Sequence, residues 1–136
     1  MGKFEDSTTI VLALFATTYW VETGIITQPT NFTGNLNIDT YIRVSVIQSN
    51  TDGVYGNVSG LRGQIIIDIF TPAGDGPVTA QQIADKLDRL LVGKLQSSAS
   101  GRVQTGLSSL IVFGIDKANP SLYRNIYTVS FNYFGN

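Results

Sequence analysis

The alternation of apolar and polar side chains predicts two strands in the middle of the chain. The first covers residues 41–48 (YIRVSVIQ), and its polar face includes Arg43. The second covers residues 61–71, and its predicted core face comprises Leu61, Ile65, Ile67 and Ile69. The opposite face mixes polar and apolar side chains, namely Arg62, Gln64, Ile66, Asp68 and Phe70. Because that face is too apolar for open water, we expect a helix or a neighbouring subunit to cover it.

Two further strands are predicted towards the C-terminus, at residues 109–115 and 122–134. The last strand alternates strictly, with Arg124 on its polar side. Its apolar side comprises Tyr127, Val129, Phe131 and Tyr133. An Asn-Pro turn separates the two strands, so we expect them to belong to a largely antiparallel sheet.

Two segments rich in Gly, Ser and Asn lie between these elements. Residues 50–60 (NTDGVYGNVSG), which include Asp52 and Tyr55, are predicted to form either a long hairpin tip or a projecting loop. Residues 94–106, which include Arg102, are predicted to form a mobile loop or an irregular hairpin.

A period of 3.6 residues predicts a helix at residues 79–92. Its apolar face comprises Ile83, Leu87, Leu90 and Leu91. Thr79 and Gln82 have the spacing of a capping box at its start, with Val78 and Ile83 placed as a hydrophobic staple, and Gly93 supplies the stop.

A second helix is predicted at residues 6–20, with Asp6 or Ser7 as its N-cap. Its apolar run, residues 10–16, is far shorter than the ~20 residues that span a bilayer. Glu5 and Asp6 also argue against a secretory signal peptide, because such a segment begins with a positive charge. We therefore expect a buried helix and no membrane partner.

The order of helix, strands, helix and strands predicts an α+β fold. The expected architecture is a single domain over residues 1–136, in which a mostly antiparallel β-sheet packs with two α-helices, the N-terminal helix and the helix at about 79–92. A chain of 136 residues is long enough to bury one sizeable core. A short extended piece is predicted at residues 25–28 and a polar loop at residues 30–39.

The residue types present limit the available chemistry. The chain has no Cys and no His, which excludes disulfides, Cys/His zinc sites, cysteine nucleophiles and Ser-His relays. No glycine-rich phosphate-binding motif occurs. Asp85 and Asp88 are expected on a solvated helix face, and Asp68 is expected to face outward and pair with Arg62 or with a partner. We therefore predict no catalytic, cofactor-binding or metal-binding residues and no enzymatic activity.

Charge is sparse. Only 14% of residues are charged, and the net charge is −1. Such a surface favours coverage by partners, while an isoelectric point near 5.1 removes the electrostatic drive for nucleic-acid binding. Residues 1–76 carry three basic and seven acidic side chains, and residues 77–136 carry six and three. This asymmetry is either accidental or a source of head-to-tail attraction between identical subunits.

Three segments in succession resemble the tail terminator proteins of long-tailed bacteriophages. They are residues 41–46 (YIRVSV), 60–74 (GLRGQIIIDIFTPAG) and 80–87 (AQQIADKL), and the closing strand matches at residues 123–131. The resemblance covers most of the chain, and the strand, turn and helix at residues 61–91 are its most specific part.

This resemblance implies a homohexameric ring that caps the tail tube, stops its polymerisation and provides the surface for head-tail joining. It implies a location in the virion, at the top of the tail tube, with assembly in the host cytoplasm. The implied partners are further copies of the chain, the tail tube protein and head completion or neck proteins, with DNA only passing through the lumen and no cofactor. The candidate interface residues are Arg43, Asp52, Tyr55, Arg62, Ile66, Asp68, Phe70, Arg102 and Arg124.

Two other functions remain open. The first is another tail or neck structural role, such as a tail tube or head-tail connector subunit, which shares the α+β plan. The second is a small-ligand-binding β-rich domain that uses the aromatic residues of the last strand.

Overall fold

A computed structural model of the chain describes residues 2–29, 40–55, 58–74, 77–115 and 122–135, without the side chains of residues 29, 49–55 and 58–59. Its centre is a six-stranded sheet with the order β1-β2-β3-β6-β5-β4. The strands are β1 (Ile26–Pro29), β2 (Tyr41–Tyr55), β3 (Val58–Pro72), β4 (Leu95–Ser97), β5 (Gly101–Ile115) and β6 (Leu122–Gly135). β1 is parallel to β2, and all other neighbours are antiparallel. The predicted α+β class is confirmed.

Three helices pack on one face of the sheet, which we call the inner face. They are α1 (Lys3–Leu14), α2 (Thr18–Glu22) and α3 (Val78–Leu91). Buried residues of all three helices form one apolar cluster with the inner-face residues of the sheet. The predicted core faces of the second and last strands are confirmed, since Leu61, Ile65, Ile67, Ile69, Tyr127, Val129, Phe131 and Tyr133 are all buried.

The prediction of a single N-terminal helix at residues 6–20 is wrong. The segment forms α1 and α2, which are separated at residues 15–17, and α1 begins at Lys3 after Gly2. Asp6 and Ser7 are therefore buried within the first helix and do not cap it. The break allows the rings of Phe15 and Trp20 to meet edge to face in the core, with their centroids 5.5 Å apart.

The helix predicted at residues 79–92 is present as α3, but it begins differently. Pro77 occupies the N-cap position, and no side chain caps the helix, so the predicted capping box is wrong. Val78 is exposed and does not form the predicted hydrophobic staple. The predicted stop is confirmed, because Gly93 has φ +66°, a conformation that favours glycine.

Both segments whose predictions left alternatives open belong to hairpins. Residues 50–55 and 58–60 continue the ladder between β2 and β3, so the hairpin alternative is right. Residues 95–97 and 101–106 lie in β4 and β5, so this segment forms a hairpin and not a mobile loop. Tertiary contacts explain this order: the Thr105 hydroxyl donates to the carbonyl of Leu91 and accepts from the N–H of Lys94. The polar loop at residues 30–39 and the turn at 119–120 lie outside the described residues.

Gly63 marks a close approach that the strand pattern does not reveal. A Cβ at this position would lie 2.4 Å from the carbonyl oxygen of Ile47 and 2.6 Å from the ring of Phe131. The absence of a side chain therefore lets the ring of Phe131 pack directly over β3.

Candidate functional site

Most of the predicted interface residues lie on the sheet face opposite the helices, which we call the outer face. The strand register places Arg43 beside Asp68 and Tyr41 beside Phe70. It also places Arg124 beside Phe70, on the other flank of β3. Because side chains alternate along a strand, these residues share the outer face.

An ion pair joins two of the predicted residues. Nη2 of Arg124 lies 2.7 Å from Oδ1 of Asp68, and its Nε donates to the same oxygen at 3.0 Å. Asp68 thus pairs with Arg124, whereas we expected Arg62 or a partner. Two outer-face arginines also lie over aromatic rings, Arg43 at 5.3 Å from the centroid of Phe70 and Arg124 at 5.0 Å from that of Phe113.

Phe70 is buried by the chain itself. Its exposed fraction is 2%, and its ring stacks on Tyr41 with centroids 4.6 Å apart. Tyr41, Phe70 and Leu122 form a small second apolar cluster on the outer face. The expectation that a helix or a neighbouring subunit covers this position is therefore corrected, because residues of the sheet cover it.

The remaining predicted residues are more open. Ile66 is half-buried, while Arg62 and Arg102 are exposed. The backbones of Asp52 and Tyr55 pair with those of Gly60 and Val58 at the hairpin end, and their side chains lie outside the described residues. The structure thus brings Arg43, Asp68, Phe70 and Arg124 together and leaves Arg62 and Arg102 nearer the opposite end of the sheet.

Charge is divided between the two layers of the fold. Among the described side chains, the outer face carries four arginines and one carboxylate, 4 − 1 = +3, namely Arg43, Arg62, Arg102, Arg124 and Asp68. The three helices carry three basic and five acidic residues, 3 − 5 = −2. The described outer face is thus basic and the helical layer acidic, a division that does not follow the two halves of the chain, because Arg43 and Arg62 belong to the acidic first half.

Two carboxylates join the helices to the sheet. Oδ2 of Asp6, on α1, accepts hydrogen bonds from Tyr133 at 2.6 Å and Ser98 at 2.9 Å. Oδ1 of Asp88, on α3, accepts from Tyr127 at 2.7 Å and from Ser108. Asp88 is exposed, as expected for a solvated helix face, and it also bonds to the sheet.

These contacts change the acidity of both tyrosines. Burial, helped by the hydrogen bond to Asp6, raises the pKa of Tyr133 to about 12. Burial and the hydrogen bond to Asp88 raise the pKa of Tyr127 above its usual range. Both phenols are therefore neutral donors at physiological pH, and their role is structural.

The residues that the sequence patterns missed lie on β5. Its second half exposes large apolar side chains, namely Leu107, Leu110, Ile111, Val112, Phe113 and Ile115. A signal was present, because residues 103–115 contain no charged residue and no proline. Such a composition is typical of a strand that is covered on all sides, yet here it lies at the surface.

Metal and membrane sites were searched among the described residues. Within those ranges, no three acidic side chains converge in a way that would hold a metal ion. No helix in the described part of the chain is both long and apolar enough to cross a bilayer.

Comparison with known proteins shows what the fold resembles. Neither a protein family nor a curated protein matches the sequence. The fold is shared with a chain of a virion. That chain, from the virion of a native gene transfer agent particle, matches with a TM-score of 0.67 and 17% identity over 99% of this chain and 98% of its own. A second solved protein, without a functional name, matches with a TM-score of 0.62 and 20% identity over 89% of this chain and 84% of its own.

Proposed function

We propose that this chain is a structural protein of a virion and that it acts as a tail terminator. The observation that carries the proposal is the likeness to the gene transfer agent virion chain, which spans 99% of this chain and 98% of that one. The likeness thus extends over nearly the full length of both chains. The sequence resemblance to tail terminators at residues 61–91 independently supports the finer role.

In this role the chain assembles into a closed ring, which we propose to be a hexamer. A head-to-tail contact between identical chains closes when the rotation per step divides a circle. The described surface suits repeated contacts, because it combines few charges with exposed apolar side chains on β5.

The proposed ring binds the tail tube protein on one side and head completion or neck proteins on the other. DNA passes through the lumen of the ring, and the role of the ring is structural, without enzymatic activity. We propose Arg62, Ile66 and Arg102 as interface residues, because they are accessible in the single chain. Arg43 and Arg124 contribute through the ion pair and ring contacts that shape the outer face.

The test is the oligomeric state of the purified chain. Light scattering coupled to size exclusion should give about 88 kDa, six times the 14.7 kDa of one chain, and negative-stain images should show rings. Addition of these rings to polymerising tail tube protein should shorten the tubes, whereas an unrelated protein of equal mass should not. A chain that stays at 14.7 kDa at micromolar concentration contradicts the proposal. Tubes of unlimited length formed by the chain alone would instead identify a tail tube subunit.

A further inference from the structure

One edge of the sheet is open over most of its length. β4 pairs with β5 only from Arg102 to Gln104. From Gly106 to Ile115, β5 has β6 on one side, and no described residue donates or accepts a backbone hydrogen bond on the other. Towards the described residues, this segment therefore presents unpaired N–H and C=O groups at the edge of the sheet.

The side chains of this segment make the open edge unusual. Leu107 has an exposed fraction of 84%, Phe113 of 63% and Val112 of 57%. Natural edge strands are usually protected by lysine, proline or short length, and the uncharged segment at residues 103–115 has no such protection. Unpaired backbone together with exposed apolar side chains fits another β-strand as the occupant.

The opposite edge of the same sheet offers a matching strand. β1 pairs with β2 on one side and has no strand on its other side among the described residues. The regular part of β5 between its two register shifts is Ser108–Val112, five residues, and β1 has four. The two segments are thus of similar length.

The two edges also lie at the same level along the strands. One row of the register runs through Thr27, Ile42, Ile69, Asn125 and Val112. Another row joins Pro29 at the β1 edge to Leu110 at the β5 edge through β2, β3 and β6. Placing a second copy beside the first therefore brings β1 next to β5 without a shift along the strand direction.

Strand direction completes the match. β1 is parallel to β2, and the direction then alternates through β3, β6 and β5, so β1 and β5 are antiparallel. We propose that the Ser108–Val112 edge of one copy pairs with β1 of the next copy, so that the sheet continues from subunit to subunit. A head-to-tail contact without axial shift closes into a ring when the rotation per step divides a circle, whereas one with a shift winds into a filament. The inference rests on the proposed function in one respect, that the partner is a further copy of this chain.

Crosslinking tests the contact directly, because the chain has no natural cysteine. The double variant Thr27→Cys/Val112→Cys, whose two positions share one row of the register, should give a ladder of covalent multimers on a denaturing gel after treatment with a short bis-maleimide. Within one chain the two positions are four strands apart, about 19 Å at ~4.8 Å per strand, which is too far for a short crosslinker. Each single variant should give no ladder. A dimer from Val112→Cys alone would overturn the proposal in favour of pairing between two β5 strands.

A charged substitution on the β5 edge tests this contact separately from the proposed ring. Val112→Lys should reduce the oligomer to single chains in light scattering, because a lysine on an edge strand opposes the addition of another strand. Phe4→Lys is the matched control, since Phe4 on α1 is 56% exposed and Val112 is 57% exposed. If Val112→Lys still forms full rings, or the double cysteine variant assembles without a ladder, this contact is wrong while the ring stands. If the unmodified chain is a monomer, both the ring and this contact are wrong.

Discussion

At the scale of single residues, Phe70 shows that a side chain on the outer face of the sheet can still belong to the core of the subunit. The alternation of β3 places it on the outer face, where sequence alone suggests an interface. Its ring is nevertheless 2% exposed, because Tyr41 and Leu122 close over it in the same chain. Residues of this kind stabilise the single subunit, independently of any partner.

We expect Phe70→Ala to lower the free energy of unfolding by about 3–5 kcal/mol, the usual cost of removing a buried phenylalanine ring. Urea denaturation followed by circular dichroism measures this change. Ile47→Ala on the same face is the control and should change stability little, because Ile47 is about half exposed. Equal effects of the two substitutions would mean that the cluster around Phe70 does not contribute to the subunit core.

Tyr133 determines how the protein responds to alkali. Its pKa rises from 10.0 in the unfolded chain to about 12 in the fold, so the folded state keeps a proton that the unfolded state loses. The stabilisation is complete below pH 10 and is lost as the pH rises towards 12. We expect the free energy of unfolding to fall across this interval, and to fall less steeply in Tyr133→Phe. Urea titrations at several pH values provide the measurement, and the same slope in both proteins would contradict the assignment.

At the scale of elements, some ends of helices and strands are set by the local sequence, and others are set by contacts with residues distant in the chain. The stop of α3 is local, because Gly93 has positive φ, a conformation that glycine adopts without a steric penalty. The start of α3 is not, since Thr79 and Gln82 match a capping box that the structure does not form. The first half of β5 likewise depends on tertiary contacts, because Thr105 forms hydrogen bonds with the end of α3.

The stop of α3 gives a prediction about this element. Gly93→Ala should destabilise the protein by about 1–2 kcal/mol, because a Cβ is disfavoured in the left-handed region. Gly2→Ala is the matched control: a Cβ meets nothing within 4 Å at either position, but only Gly93 has positive φ. Thermal unfolding of both variants measures the difference. A similar melting temperature for the two would show that backbone conformation at Gly93 is not limiting.

At the scale of the whole molecule, one core joins both layers. A single cluster links α1, α2 and α3 to the inner face, so within the described ranges no helix or strand has a separate large apolar core. Two carboxylates, the buried Asp6 and the exposed Asp88, add connections between layers, and Asp6 bonds to Tyr133 across 127 residues of chain. The molecule is therefore expected to unfold as one unit.

Cooperative unfolding can be measured with the single tryptophan of the chain. Trp20 is buried on α2, and its indole N–H donates to Thr27 of β1 at 2.8 Å, so its fluorescence reports on the joint between the two elements. At a fixed protein concentration, we expect the fluorescence transition and the far-ultraviolet circular dichroism transition in urea to coincide. An earlier fluorescence transition would show that α2 and β1 detach before the sheet unfolds.

The amino-acid sequence by itself determined the strand faces of β3 and β6, the apolar stripe of α3 and its stop at Gly93. It did so because burial on one face imposes a period that neighbouring residues reveal. Only the tertiary structure decided that Asp68 pairs with Arg124, which lies 56 residues away, and that Phe70 belongs to the subunit interior. It also decided that the apolar second half of β5 lies at an open edge. Strand order and cross-strand partners bring together residues that are distant along the chain, and no local pattern records which strand lies beside which.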